Sequence, residues 1–98
     1  MEENTLRRSA EIIAGRNISD RVLRVVVTFN SSKGQLRVVY CLASEPTEDD
    51  EDDCELTCAE LIAEFPEIVI AETSCIPIEQ YSATEDETNA VVFSRQVS

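Results

Sequence analysis

The sequence predicts an α+β fold: a single small domain over residues 1–98, in which an antiparallel four-stranded sheet carries two helices packed on one face, in the order α-β-β-α-β-β. Three observations lead there. The 98 residues are 43% apolar and 29% charged, which supplies one modest core and leaves no room for a second domain. Two β-branched, alternating runs, VLRVVVTF and QLRVVYCLA, stand either side of a short polar loop. Apolar residues then recur at helical spacing in DCELTCAELIAEF. Each element has one apolar side to bury, and so short a chain builds only two layers.

The elements follow in order. NTLRRSAEIIAGR (4–16) sets Leu6, Ala10 and Ile13 at helical spacing, opens with Asn4 or Thr5 as a cap, and meets Gly15 where a helix stop belongs. VLRVVVTF (22–29) and QLRVVYCLA (35–43) form a hairpin through Ser31-Ser32-Lys33-Gly34, with Gly34 taking the left-handed conformation such loops need. Pairing Phe29 with Leu36 also pairs Val27 with Val38, Val25 with Tyr40 and Leu23 with Leu42, and collects the large apolar residues on one face. Val22, Arg24, Val26, Thr28, Arg37, Val39 and Cys41 share the other face, which is mixed and therefore either half covered or left with exposed valines. In the second helix Cys54, Cys58, Leu61, Ile62 and Phe65 make the buried stripe, and Pro66 ends it. EIVIAET (67–73) reads as a third strand, CIPIEQY (75–81) as an extended segment made edge-like by Pro77, and NAVVFSR (89–95) as the last strand after the polar SATEDETN.

Charge limits the function. The chain carries a formal −12, and unevenly: residues 1–44 hold seven basic and four acidic groups, residues 45–98 one basic and sixteen acidic. Direct binding to nucleic acid or an anionic membrane would need Lys and Arg against phosphate, so basic protein partners are expected instead. No apolar stretch follows Met1, and no run approaches about 18 apolar residues, so a soluble, cytoplasmic protein with reduced cysteines is expected.

The chemistry that is missing narrows matters further. With no histidine, neither a Ser-His-Asp nor a Cys-His nucleophile can be assembled, and Gly15 and Gly34 stand outside any phosphate-cradling motif. The carboxylates cluster where water reaches them, without the desolvation that makes a catalytic acid, so no enzymatic activity is expected. Cys54 and Cys58 share a helix face with Leu61 and Phe65 and have no second local pair, so the four cysteines Cys41, Cys54, Cys58 and Cys75 read as small buried hydrophobes rather than zinc ligands. The unbroken run at 48–53 lacks the alternation and central glycine of a calcium loop. No cofactor or metal is expected.

One stretch stands out. EPTEDDEDDCE (45–55) is acidic at eight of its eleven positions. Thr47 with Asp50 makes a capping-box start, and carboxylates in a first turn gain about 0.3–1 kcal/mol each from the helix dipole, which accounts for two or three of them. The others repel one another and serve solubility or a partner. At about 100° per residue Leu56 falls about 200° from Cys54, away from the sheet, beside Ala59 and Ala63. Asp52, Asp53 and Glu60 surround it, which is the anatomy of an apolar anchor with a charged rim; packing of Leu56 beneath the first helix is the alternative.

A chain of this length and acidity, without histidine, presenting EPTEDDEDDCELTCAEL ahead of a helix, resembles the immunity proteins of bacterial contact-dependent growth inhibition and colicin-like systems. Small acidic phage inhibitors that mimic nucleic acid are similar in the same respects. The resemblance implies an inhibitor that covers the active site or substrate groove of one cognate toxin, often a basic nuclease, with acidic side chains. The residues expected to meet the partner are Glu48, Asp49, Asp50, Glu51, Asp52, Asp53, Leu56 and Glu60, with Glu85, Asp86 and Glu87 from the second acidic cluster. The competing expectation is a homodimeric assembly subunit or adaptor, paired through the hairpin's valine face or the edge near Pro77.

Overall fold

The computed structural model describes residues 3–81 and 91–94. Along the chain run α1 (Glu3–Arg16), β1 (Val22–Asn30), β2 (Gln35–Leu42), α2 (Glu48–Glu64), β3 (Ile70–Pro77), a 3-10 turn (Ile78–Gln80) and β4 (Val91–Ser94), in the predicted α+β order. The sheet order is β3-β2-β1-β4. Both helices pack on one face, α1 against β1 and β4 and α2 against β2 and β3.

The sheet is mixed, which corrects the expected fully antiparallel arrangement. β1 is antiparallel to β2 and to β4, but β3 is parallel to β2. The cause is the intervening helix: α2 carries the chain back along the sheet, so the next strand starts again from the same end. The separate third strand and extended segment expected over 67–73 and 75–81 are one strand, Ile70–Pro77, on the sheet edge. Residues 65–68 turn instead, with the Ile68 amide donating to the Phe65 carbonyl at 3.1 Å and both side chains buried.

The hairpin register is as predicted from Phe29↔Leu36 through Val25↔Tyr40. It then shifts, so that Val22 rather than Leu23 faces Leu42. The irregularity moves Val22 into the main core and leaves Leu23 half-buried. At the other end Gly34 has φ +62°, and a Cβ there would lie 2.7 Å from Val69 Cγ2 and 2.9 Å from the Glu67 carbonyl. Its own carbonyl accepts the Val69 and Ile70 amides at 2.8 and 3.2 Å, clamping the hairpin loop to the start of β3. Gly15, by contrast, lies within the last turn of α1; Asn17 ends that helix, its amide donating to the Ala14 carbonyl and its side chain to Ile13.

The main core joins Leu6, Ala10 and Ile13 of α1 and Cys54, Cys58 and Leu61 of α2 to the inner face of the hairpin. Tyr40 is fully buried there. Its hydroxyl donates to the Asn17 carbonyl at 2.9 Å, so the Thr57 hydroxyl beside it must donate to Tyr40. A sheet strand and both helices are thereby tied at one polar point inside an apolar core. On the opposite face Val26, Val39 and Cys41 are buried under Ile76, Ile78, Tyr81 and Val91. The half-covered alternative holds, and these valines need no second copy to shield them.

Candidate functional site

α2 begins where the sequence placed a capping box. The Thr47 hydroxyl accepts from the Asp50 amide at 3.3 Å, and Asp50 Oδ2 accepts from the Thr47 amide at 2.9 Å and its hydroxyl at 3.0 Å. Arg21 donates to the same Oδ2 through Nε at 3.1 Å and to the Glu45 carbonyl through Nη2. Burial opposes ionisation of Asp50, but the Thr47 donors and the Arg21 guanidinium outweigh it and hold the carboxyl below its ordinary range. Asp50 is therefore a structural residue, 2% exposed, and not part of the surface on which the sequence placed it.

Its neighbours divide by their direction around the helix. Glu48, Asp49, Glu51 and Asp52 are exposed. Asp53 is half-buried, and burial followed by the charges of Asp49, Asp50 and Asp52 raises its carboxyl above the ordinary range. Glu60 turns toward α1, where Arg16 Nη2 meets it at 3.1 Å and Asn17 Nδ2 at 3.4 Å. One turn on, Glu64 accepts from Ser9 at 2.8 Å. The carboxylates facing α1 thus hold the helices together, and those facing outward do not. Glu85, Asp86 and Glu87 lie outside the described residues.

Leu56 lies on the open side. It is 47% exposed, so among the described residues it packs beneath neither α1 nor a loop. By helical spacing the open side of α2 collects Leu56 with Glu48, Asp49 and Asp52, on a helix that carries no basic residue, while Glu51 lies on the side toward β3. Ile62 corrects the predicted stripe: it is 42% exposed, and Thr57 takes the buried position because its hydroxyl is satisfied by Tyr40.

Beside α2 runs a groove of about 270 Å³ walled by Glu51, Cys54, Glu55, Thr73, Ser74 and Cys75. Glu55, absent from the sequence-based set, belongs to this wall; only the position of β3, which the sequence misplaced, reveals it. Burial pushes the Cys54 thiol up to about 12, and burial with the nearby Asp50 and Glu51 charges pushes Cys75 to about 11. Both are neutral thiols near neutral pH, packed as apolar groups, although Cys75 is only half-buried. Among the described residues no three His, Cys, Asp or Glu side chains are placed to hold a metal, and no helix is long and apolar enough to cross a membrane.

Comparison with known proteins adds the remaining observations. No curated protein matches the chain. Among solved structures, the zinc form of a MamM CTD variant aligns with 87% of this chain and 89% of its own, at 16% identity and a TM-score of 0.49. The family described as "MafI2 immunity protein" matches residues 11–97, nearly the whole length and including every element from the second half of α1 to β4. The chain belongs to the MafI2 immunity protein family.

Proposed function

We propose that this immunity protein neutralises a basic cognate toxin, a nuclease, by laying the open carboxylate face of α2 into the cationic groove that otherwise receives nucleic acid. The family supports the coarser statement, a toxin-neutralising inhibitor that binds its cognate toxin. For the finer one the observation that carries it is Leu56, left 47% exposed on the open side of α2, which by helical spacing it shares with the exposed Glu48, Asp49 and Asp52. An apolar anchor inside a charged rim gives residence from the anchor and steering from the rim. The formal −12, concentrated in residues 45–98, strengthens that field.

Inhibition then needs no chemistry from the immunity protein. The chain has no histidine, and its one buried carboxylate among the described residues, Asp50, is kept ionised by the Thr47 donors and Arg21. Cytoplasmic action, where a nuclease toxin meets its substrate, fits four free thiols.

Growth protection tests the proposal. Cells expressing the cognate toxin should survive with the wild-type protein and lose protection with Glu48→Lys, Asp49→Lys and Asp52→Lys combined. Full protection by that folded variant would refute the role of the α2 face. Nucleic acid added to the purified toxin should compete with the inhibitor, and inhibition indifferent to substrate concentration would move the contact away from the groove.

A further inference from the structure

The two edges of the sheet are not alike. β4 has four residues, and Arg7 of α1 reaches over to the Val91 carbonyl at 3.1 Å. β3 has eight residues, stands last in the sheet order, and among the described residues pairs with β2 on one side only. Its first half is open: Ile70, Glu72 and Thr73 are exposed, and Val69 just before it is 72% exposed. Folded proteins usually blunt such an edge with charge, proline or a covering element. Here Pro77 comes only at the far end, and Glu72 is the single charge. Residues 70–73, three of them exposed, leave about 13 Å of main-chain edge that no other described strand pairs, a template for another strand.

The surroundings specify the occupant. Successive residues of β3 face opposite ways: Ala71 and Cys75 toward the main core and α2, Ile76 toward the back of the sheet. Thr73 shares the α2 side and walls the groove with Glu51 and Glu55, while Ile70 and Glu72 share the back. Neither α2 nor β3 contains a Lys or Arg. A second copy of this chain would bring carboxylates against carboxylates. An extended segment that alternates basic with apolar side chains would direct the first toward Glu51 and Glu55 and the second toward Ile70, while its main chain completes the sheet.

We propose that the open edge of β3 docks an extended, Lys- or Arg-bearing segment of the cognate toxin, which pairs with it as a fifth strand beside Glu51 and Glu55. This inference rests on the toxin-binding function proposed above and locates a second part of the same contact.

Residue-resolved amide exchange of the isotope-labelled protein, alone and bound to the cognate toxin domain, tests it. Alternate amides across residues 70–76 should exchange freely in the free protein and at least about tenfold more slowly in the complex. Glu51→Lys with Glu55→Lys should weaken the complex by about tenfold or more while the circular dichroism of the free protein stays unchanged. A complex that protects α2 but leaves the β3 amides unchanged overturns the edge assignment and leaves the proposed function standing. Failure of the wild-type protein to bind the toxin overturns both. Protection of β3 that grows with protein concentration in the absence of toxin would assign the edge to a second copy and refute the proposal.

Discussion

Arg21 and Asp50 meet through a single contact, Nε to Oδ2 at 3.1 Å, that joins the entrance of β1 to the first turn of α2. The arginine side chain is 38% exposed and the carboxylate 3%. A run of acids that looks uniform in sequence is therefore divided by the fold: one member anchors the helix from inside, and those pointing outward remain available to a partner.

Asp50→Asn should destabilise the protein by about 1–3 kcal/mol, because it removes a charge on which three donors converge. Thr47→Ala should cost about 1 kcal/mol through the lost cap. Urea titrations measure both, and neither change should reduce toxin binding by the folded fraction.

Stability should vary with pH in two directions. Asp50, lowered from an ordinary 3.8, adds stability that is complete above the unfolded value and is lost as the pH falls through the lower folded value. Asp53, raised by burial and by the charges of Asp49, Asp50 and Asp52, does the opposite: the folded state takes up its proton first, and stability falls as the pH rises through the raised value. Urea midpoints should rise slightly as the pH falls from 7 through the raised Asp53 value and drop once the pH falls below the ordinary 3.8 toward the lowered Asp50 value. In Asp53→Asn the rise should shrink.

Gly34→Ala should cost about 2–4 kcal/mol, since the left-handed backbone and the approach of Val69 and the Glu67 carbonyl both exclude a Cβ. Gly15→Ala, in open space within α1, should be neutral or stabilising by up to about 1 kcal/mol. Thermal unfolding of the pair distinguishes a required glycine from an incidental one.

Much of this was legible in the sequence, and the failures have physical reasons. The hairpin register follows from large apolar residues that only one pairing places together, and the capping box follows from Thr47 and Asp50. The shift at Val22 is hidden because Val22 and Leu23 are both apolar and either can face Leu42. The limits of β3 are hidden because EIVIAETSCIP has no strong alternation, and its parallel direction shows only once α2 is seen to return the chain to the end of the sheet where β2 begins. Ile62 reads as inward because its competitor is hidden: a threonine looks polar until Tyr40 is seen beside it. Leu56 could be placed outward from helical geometry alone. Glu60 could not be removed from the rim without knowing that α1 brings Arg16 beside it.

Tyr40→Phe should cost about 1–2 kcal/mol by leaving the Thr57 hydroxyl and the Asn17 carbonyl without their partner. Adding Thr57→Val should recover part of that loss, because the unpaired hydroxyl goes with it. A double-mutant cycle by urea unfolding checks the coupling.

Leu56→Ala should leave stability within about 0.5 kcal/mol, as expected of an exposed side chain, and speed dissociation of the toxin by about tenfold. Surface plasmon resonance on the complex, with unfolding curves of the free variant, separates the two effects.

If the outward carboxylates of α2 guide a cationic toxin onto the protein, stopped-flow association across a salt series will separate the wild type from Asp49→Lys with Asp52→Lys. The wild-type on-rate should fall steeply with ionic strength, and the variant should bind at least about tenfold more slowly at low salt, with a flatter salt dependence and a much smaller change in off-rate. Equal on-rates with equal salt dependence in the two proteins would contradict it.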